Sequence, residues 1–323
     1  MCFNKTLCIV LFFSVMSQLK ADPVYHEKQQ QAAALIQSIY HHQLDDKLPS
    51  MADRLEYISG LLMDKPYWLG ALGEGASGRY DQYPLYRLDA FDCLTFVETV
   101  LALSFGHDLS SFQHLMNTIR YQDGHISFLH RNHFTDLDWN THNQKNGFLK
   151  DITMTIHNQH QHPIAKMASA VINKPDWYQH MSASRIRLID SLVHEQTQRL
   201  QELKRRGQSL FVQKAKIPYI PLTAIVDASG KVNQEILEQI PSGAIIEIVR
   251  PNWDLRKSIG TSLNVSHLGF AFWKDGILMF RNASTLKGRV VDQPLVGYLQ
   301  DALKSPTIKG INIQIVLQPR LRD

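Results

Sequence analysis

Apolar residues change their spacing near Val212, and that change divides the 323-residue chain into two kinds of structure. Before it, apolar positions recur at helical intervals. Helices are predicted over Glu27–Met63, best in Ala32–Tyr40 and Met51–Leu62 and split by Leu48-Pro49-Ser50. Further helices are predicted from Cys93 to about Phe105, over Leu109–Arg120 and over Ala183–Arg206. The last ends in Lys204-Arg205-Arg206-Gly207, a cationic final turn followed by glycine. Residues 121–165 are less regular and rich in His, Asn and aromatic side chains. Beyond Val212 the runs are short and bounded by Pro, Gly, Asp or Asn, as strands are: Tyr219–Ile225, Ala244–Val249, His267–Trp273, Ile277–Asn282, Arg289–Val291 and Ile311–Leu317. Lys274-Asp275-Gly276 reads as a hairpin turn, and a helix over Pro294–Leu303 interrupts the strands. Helices first and strands later is the order of an α+β fold.

The composition excludes several classes of protein. Apolar content of 44% and charged content of 20% are those of an ordinary globular chain. A formal charge of +4 with no long basic block argues against nucleic acid as the main partner. Residues 1–21 have the form of a secretory signal: Lys5, an apolar run from Leu7 to Met16, and Ala21 before Asp22-Pro23. The run is short for a membrane span, although Leu19 makes the cleavage site imperfect and leaves an uncleaved anchor as the alternative. The expected location is periplasmic or secreted, with no stable membrane insertion once the signal is removed. Cys2 and Cys8 would leave with it, so Cys93 is the one cysteine expected in the mature chain. A lone exported cysteine forms no internal disulfide and is either buried and inert or exposed and reactive.

Cys93 lies in Phe91-Asp92-Cys93-Leu94-Thr95-Phe96-Val97-Glu98, where a turn becomes a helix. Asp92 is the residue type that caps a first turn. At a helix start, unpaired backbone N–H groups favour a thiolate and can also hold an oxyanion, so one geometry supplies two catalytic parts. The plainer alternative is a half-buried cysteine acting as a small hydrophobe. A nucleophile that attacks an amide needs a base, and a histidine suits that role near neutral pH. Among the histidines, His267 opens the strand run His267-Leu268-Gly269-Phe270-Ala271-Phe272 and so has a fixed side-chain direction. One hairpin later, Asn282 ends the next strand, nearly opposite His267 if the strands pair about Lys274–Gly276. Its amide oxygen would accept from the far imidazole N–H and hold the tautomer, as in a Cys-His-Asn triad. Taken singly, His267 and Asn282 are each more ordinarily structural; taken together they form a triad.

These residues resemble the papain-like NlpC clan of cell-wall cysteine peptidases and amidases, through the helix-start cysteine, Ser266-His267-Leu268-Gly269-Phe270 and Arg281-Asn282-Ala283-Ser284. Within the clan, Asp92–Glu98 is similar to the N-acetylmuramoyl-L-alanine amidase-like family, formerly domain-of-unknown-function family 1460. The stretches Asp123–Phe128, Arg131–Phe134 and Asp138-Trp139 are similar to the same family, and the likeness runs from Arg79 to Leu317. In that family the third polar residue is more often His than Asn at the position of Asn282, and Asn can do the same orienting work. The resemblance implies a small antiparallel sheet packed on the nucleophile helix. With the signal and helical pattern read above, the expected domain layout is signal 1–21, helical lead-in 22–78 and a catalytic domain 79–323 with a helical insertion at about 107–210.

The implied activity is hydrolysis of the amide between N-acetylmuramic acid and L-alanine in peptidoglycan or its fragments, through an acyl-enzyme, with no metal or cofactor. Cys93, His267 and Asn282 would be catalytic. Tyr80, Asp92, Arg131, Trp139 and Ser266 are the candidate substrate contacts, since aromatic faces and an arginine suit a sugar and a carboxylate. Each has a packing or ion-pair alternative, and Glu98 could equally brace the helix. His157, His160 and His162 could bind zinc only weakly, because neither HExxH nor paired CxxC accompanies them. Two rival functions remain: an endopeptidase cutting within the stem peptide, and a wall-binding protein whose cysteine site has decayed.

Overall fold

The structure is a computed structural model that describes residues 24–41, 48–189, 193–227 and 229–318. The expected signal segment lies outside these residues. Four helices come first: α1 (Val24–His41), α2 (Met51–Leu61), α3 (Cys93–Phe105) and α4 (Leu109–Arg120). A π-helical turn, Thr135–Trp139, runs into α5 (Asn140–Lys145), followed by β1 (Leu149–Asp151), β2 (Lys166–Asn173), α6 (Lys174–Gln179) and α7 (Val193–Gly207). Then come β3 (Val212–Pro221), α8 (Leu222–Ile225), α9 (Gln234–Leu237), β4 (Ala244–Asp254), α10 (Arg256–Ile259) and β5 (Ser262–Lys274). The chain closes with β6 (Ile277–Ser284), β7 (Arg289–Pro294), α11 (Leu295–Ala302) and β8 (Gly310–Val316).

The strands form one eight-stranded antiparallel sheet in the order β2-β3-β8-β4-β5-β6-β7, with β1 sharing an edge of β8. This is the α+β arrangement expected, with a larger sheet. Alternation along the central strands directs side chains to two cores. Leu268, Phe270 and Phe272 face α3, which is buried at every position from Thr95 to Phe105. A helix apolar on all sides must be enclosed, and α1, α2 and α4 complete the enclosure. On the opposite face Ile246, Ile248, Ala271 and Phe280 pack against α8, α9 and α11. Glu98, fully buried in α3, pairs with Arg120 of α4 at 2.5 Å and so braces the helix.

Three expectations are corrected. The predicted strand Tyr219–Ile225 ends at Pro221, whose missing N–H cannot continue a ladder, and Leu222–Ile225 turn into α8 to cover the second core. Within Ala183–Arg206 the helix begins only at Val193; Arg187 instead makes an isolated bridge with Asp81 and binds its carboxylate. The insertion is not wholly helical either. It contributes β1 and β2, and β2 pairs with β3 in unbroken register from Lys166↔Tyr219 to Asn173↔Val212. Its inward residues include the small Ala168 and Ala170, which carry little strand signal.

Candidate active site

Cys93 is the first residue of α3. Asp92 caps the helix: its Oδ1 accepts from Thr95 N–H at 2.8 Å, and the Thr95 hydroxyl accepts from Asp92 N–H at 2.9 Å. The second carboxylate oxygen accepts from Gly70 N–H at 2.8 Å, tying the incoming loop to the helix start. Such reciprocal capping holds the first turn in place and leaves its leading N–H groups pointing outward. The thiol is half-buried, and the backbone N–H groups of Leu268, Leu94 and Cys93 itself lie near enough to draw its pKa down. Leu268 directly follows His267, so the nucleophile meets the strand that bears the imidazole.

That strand is bulged where it matters. Ile248 pairs with His267 but Val249 pairs with Val265, leaving Ser266 as the extra residue. A bulge of this kind re-aims the neighbouring side chain. The β5–β6 hairpin turns at Asp275 and Gly276, both with positive φ (49° and 78°), as a two-residue primed turn requires. Its register, Phe270↔Arg281 through Lys274↔Ile277, places Asn282 against Gly269 rather than directly across from His267. The two polar residues meet on the diagonal, with His267 Nε2 and Asn282 Oδ1 2.9 Å apart. A Cβ on Gly269 would stand 2.7 Å from Asn282 Cβ, so glycine leaves the room through which they meet. Asn282 Nδ2 donates to Phe280 O at 3.3 Å, which turns the amide oxygen toward the ring. The acceptor is therefore Oδ1, Nε2 carries the proton, and Nδ1 keeps a free lone pair.

The electrostatics differ from the sequence expectation in one respect. A helix start was expected to favour the thiolate; burial, aided by the nearby Asp92 charge, instead pushes the Cys93 thiol up to about 12, against the pull of the three backbone N–H groups. Burial also lowers the His267 pKa below its usual value, while the Asn282 hydrogen bond and the Asp92 charge act the other way. Both changes favour a neutral resting pair. Two residues not foreseen stand beside them. Tyr298 of α11 stacks on the His267 ring, centroids 6.2 Å apart and planes 21° from parallel, and its phenol is raised to about 12 by burial and then by the neighbouring Cys93. Burial likewise raises the Tyr67 phenol, with Cys93 again adding to it. Tyr298 lies in the helix that was predicted, but nothing in its spacing shows which strand residue it would cover.

The structure bonds His267 to Asn282 and sets Cys93, which follows Asp92, near the backbone of Leu268, the residue after His267, with Ser266 on the adjoining bulge. It places the other candidate substrate contacts elsewhere. Trp139 is wholly buried in the core around α3. Tyr80 is 1% exposed, and its hydroxyl donates to Glu202 at 2.8 Å. Arg131 is held by Glu74 at 2.8 Å and Asp81 at 3.0 Å, in a network that also fastens Arg187. None of the three presents a free face to a ligand, because each completes a buried cluster. Asp92 is corrected as well: both its oxygens already serve backbone N–H groups, so it caps the helix rather than contacts substrate. Of the histidine-rich segment, His157 Nδ1 meets Thr155 O at 2.8 Å, and the His160 and His162 rings lie 6.3 Å apart. Among the described residues no three His, Cys, Asp or Glu side chains gather as a metal-binding group.

The family model described as AmiA-like, N-acetylmuramoyl-L-alanine amidase-like, matches residues 57–308. A crystal structure of a Legionella pneumophila protein assigned to family DUF1460 is 50% identical, covers 91% of this chain and 97% of its own, and superposes with a TM-score of 0.88. The crystal structure of an N-acetylmuramoyl-L-alanine amidase from Bacteroides uniformis is 25% identical over 82% of this chain and 98% of its own, with a TM-score of 0.58. A second crystal structure named as such an amidase from that organism gives 26% identity over 83% and 99%, with a TM-score of 0.57. No curated protein matches.

Proposed function

Since this chain belongs to the N-acetylmuramoyl-L-alanine amidase-like family, we propose that it is a cell-wall hydrolase in which Cys93, His267 and Asn282 cleave the amide between N-acetylmuramic acid and L-alanine. The observation that carries the reading is the 2.9 Å hydrogen bond between His267 and Asn282, the first of them on the strand whose backbone lies near the Cys93 thiol. With Nε2–H committed to Asn282, Nδ1 is the base left to receive the thiol proton as sulfur attacks the lactyl carbonyl carbon. The N–H groups at the start of α3 are positioned to hold the oxyanion. His267 then returns the proton to the departing alanine nitrogen, and the acyl-enzyme is released by water that the same imidazole deprotonates. The resting pair is neutral, so proton transfer accompanies attack rather than preceding it.

The site belongs to a protein that works outside the cytoplasm on this reading. No helix among the described residues is long and apolar enough to cross a membrane. The test is mass spectrometry of muropeptides after digestion. An intact stem peptide freed from the sugar is the expected product, and Cys93→Ala should lower its formation by roughly 10⁴-fold or more. A shortened stem still joined to sugar would make the protein an endopeptidase. Digestion unaffected by Cys93→Ala would leave the wall-binding reading.

A further inference from the structure

Beyond the triad, β4 carries a cation without a counter-charge. After Val249↔Val265 the pairing with β5 breaks and resumes at Trp253↔Leu263, so Arg250-Pro251-Asn252 bows out beside the Ser266 bulge. Proline lacks a ladder donor, and Asn252 adopts a positive φ of 49° with its N–H on Asn264 Oδ1 at 3.0 Å, so the bow is fixed. Within it the Arg250 guanidinium lies over the Trp253 ring, 4.2 Å from the centroid. Its Nε is buried without a hydrogen-bond partner. Among the described residues no carboxylate reaches it. The one neighbour that bears on its charge is Tyr298, the residue stacked on His267.

A half-buried guanidinium with open donors is costly unless an anion completes it. Stacking on Trp253 orients its planar fork, and a planar fork matches a carboxylate through two parallel hydrogen bonds. The bow adjoins the Ser266 bulge, next to His267 in the chain, and Tyr298 stacks on the His267 ring with centroids 6.2 Å apart, so the open cation lies toward the triad end of the sheet. We propose that Arg250 is a specificity residue that receives the free α-carboxylate of the second stem-peptide residue, on the leaving side of the scissile amide. This rests on the amidase reading and adds to it a requirement for an acid, rather than an amidated, stem.

The experiment compares two N-acetylmuramoyl tripeptides that differ only in whether the second residue bears a free α-carboxyl or a carboxamide. The wild-type protein should favour the acid by roughly 10- to 100-fold in kcat/KM, and Arg250→Gln should bring the ratio close to one. Arg250→Lys, which keeps the charge but not the fork, should retain part of it. Arg256→Gln, at an exposed arginine already paired with Asp254 at 2.7 Å, should leave the ratio unchanged. Circular dichroism and Tm confirm that each variant is folded. Equal rates on both substrates, or a ratio that survives Arg250→Gln, overturn the assignment and leave the amidase reading standing. If the wild-type protein cleaves neither compound, the amidase reading fails and binding to Cys93→Ala decides Arg250 by itself. Tighter binding of the acid that Arg250→Gln removes sustains it, and equal or absent binding overturns it.

Discussion

The imidazole of His267 is held by one directed hydrogen bond, and that bond has a measurable sign. Asn282 stabilises the charged ring, so the acceptor raises the His267 pKa against the larger lowering by burial. A general base works when deprotonated. The acid limb of kcat/KM should therefore fall below 6.5, the ordinary histidine value. Asn282→Ala removes the raising contribution, so the limb should move to still lower pH while kcat drops roughly tenfold from loss of orientation. A limb that stays in place or moves up would show that Asn282 does not act on the base. No alkaline limb from Cys93 is expected near neutrality, since its thiol is held at about 12. At this scale the sequence pointed to Cys93, His267 and Asn282, and the structure pairs His267 with Asn282, but the sequence suggested a ready-made thiolate where the packing favours a neutral pair.

At the scale of elements, the site depends on how closely β5 and β6 approach. Gly269 lies where a methyl group would meet Arg281 O at 2.5 Å and Asn282 Cβ at 2.7 Å. Gly269→Ala should thus destabilise the protein by about 1–3 kcal/mol in urea unfolding and reduce activity by displacing Asn282. Gly297 of α11 is the control, because a Cβ there has nothing within 4 Å. Gly297→Ala in this helix should be neutral or stabilising by up to about 1 kcal/mol. Equal effects at the two glycines would remove the argument from close approach. The hairpin was legible because Lys274-Asp275-Gly276 joins two alternating runs. The diagonal pairing of His267 with Asn282 was not, because a register is chosen by burial on both faces and not by turn residues alone.

At the scale of the molecule, charge is buried between the helices and the sheet. Glu247 sits on β4 across from Leu268 and Asn312, is fully buried, and accepts from Asn140 Nδ2 at 2.9 Å. Burial raises its carboxyl from 4.5 to about 8. Between those values the folded chain holds a proton that the unfolded chain has released, so this group lowers stability as pH rises through that interval. Glu247→Gln should flatten this part of the stability curve and gain on the order of a few kcal/mol near pH 8, read from urea midpoints at several pH values. A wild-type curve with no decline there would mean that the side chain ionises in place. Nothing in the run Ala244–Val249 marks Glu247 as interior on both sides, since its surroundings come from β5, β8 and α5.

Local rules decided much of this protein. The helix-start cysteine with its Asp92 cap, the hairpin that carries His267 and Asn282, and the order of helices before strands all arise from residues near one another in the chain, where hydrogen-bonding capacity and apolar spacing act directly. Tertiary structure decided the rest. Trp139, Tyr80 and Arg131 suited a ligand by chemical type, yet long-range packing enclosed them, and Arg250 came beside Tyr298 only because a bow in one strand and a helix from a later segment converge. Side-chain type sets which contacts are possible, and the free energy of burying the whole surface selects among them.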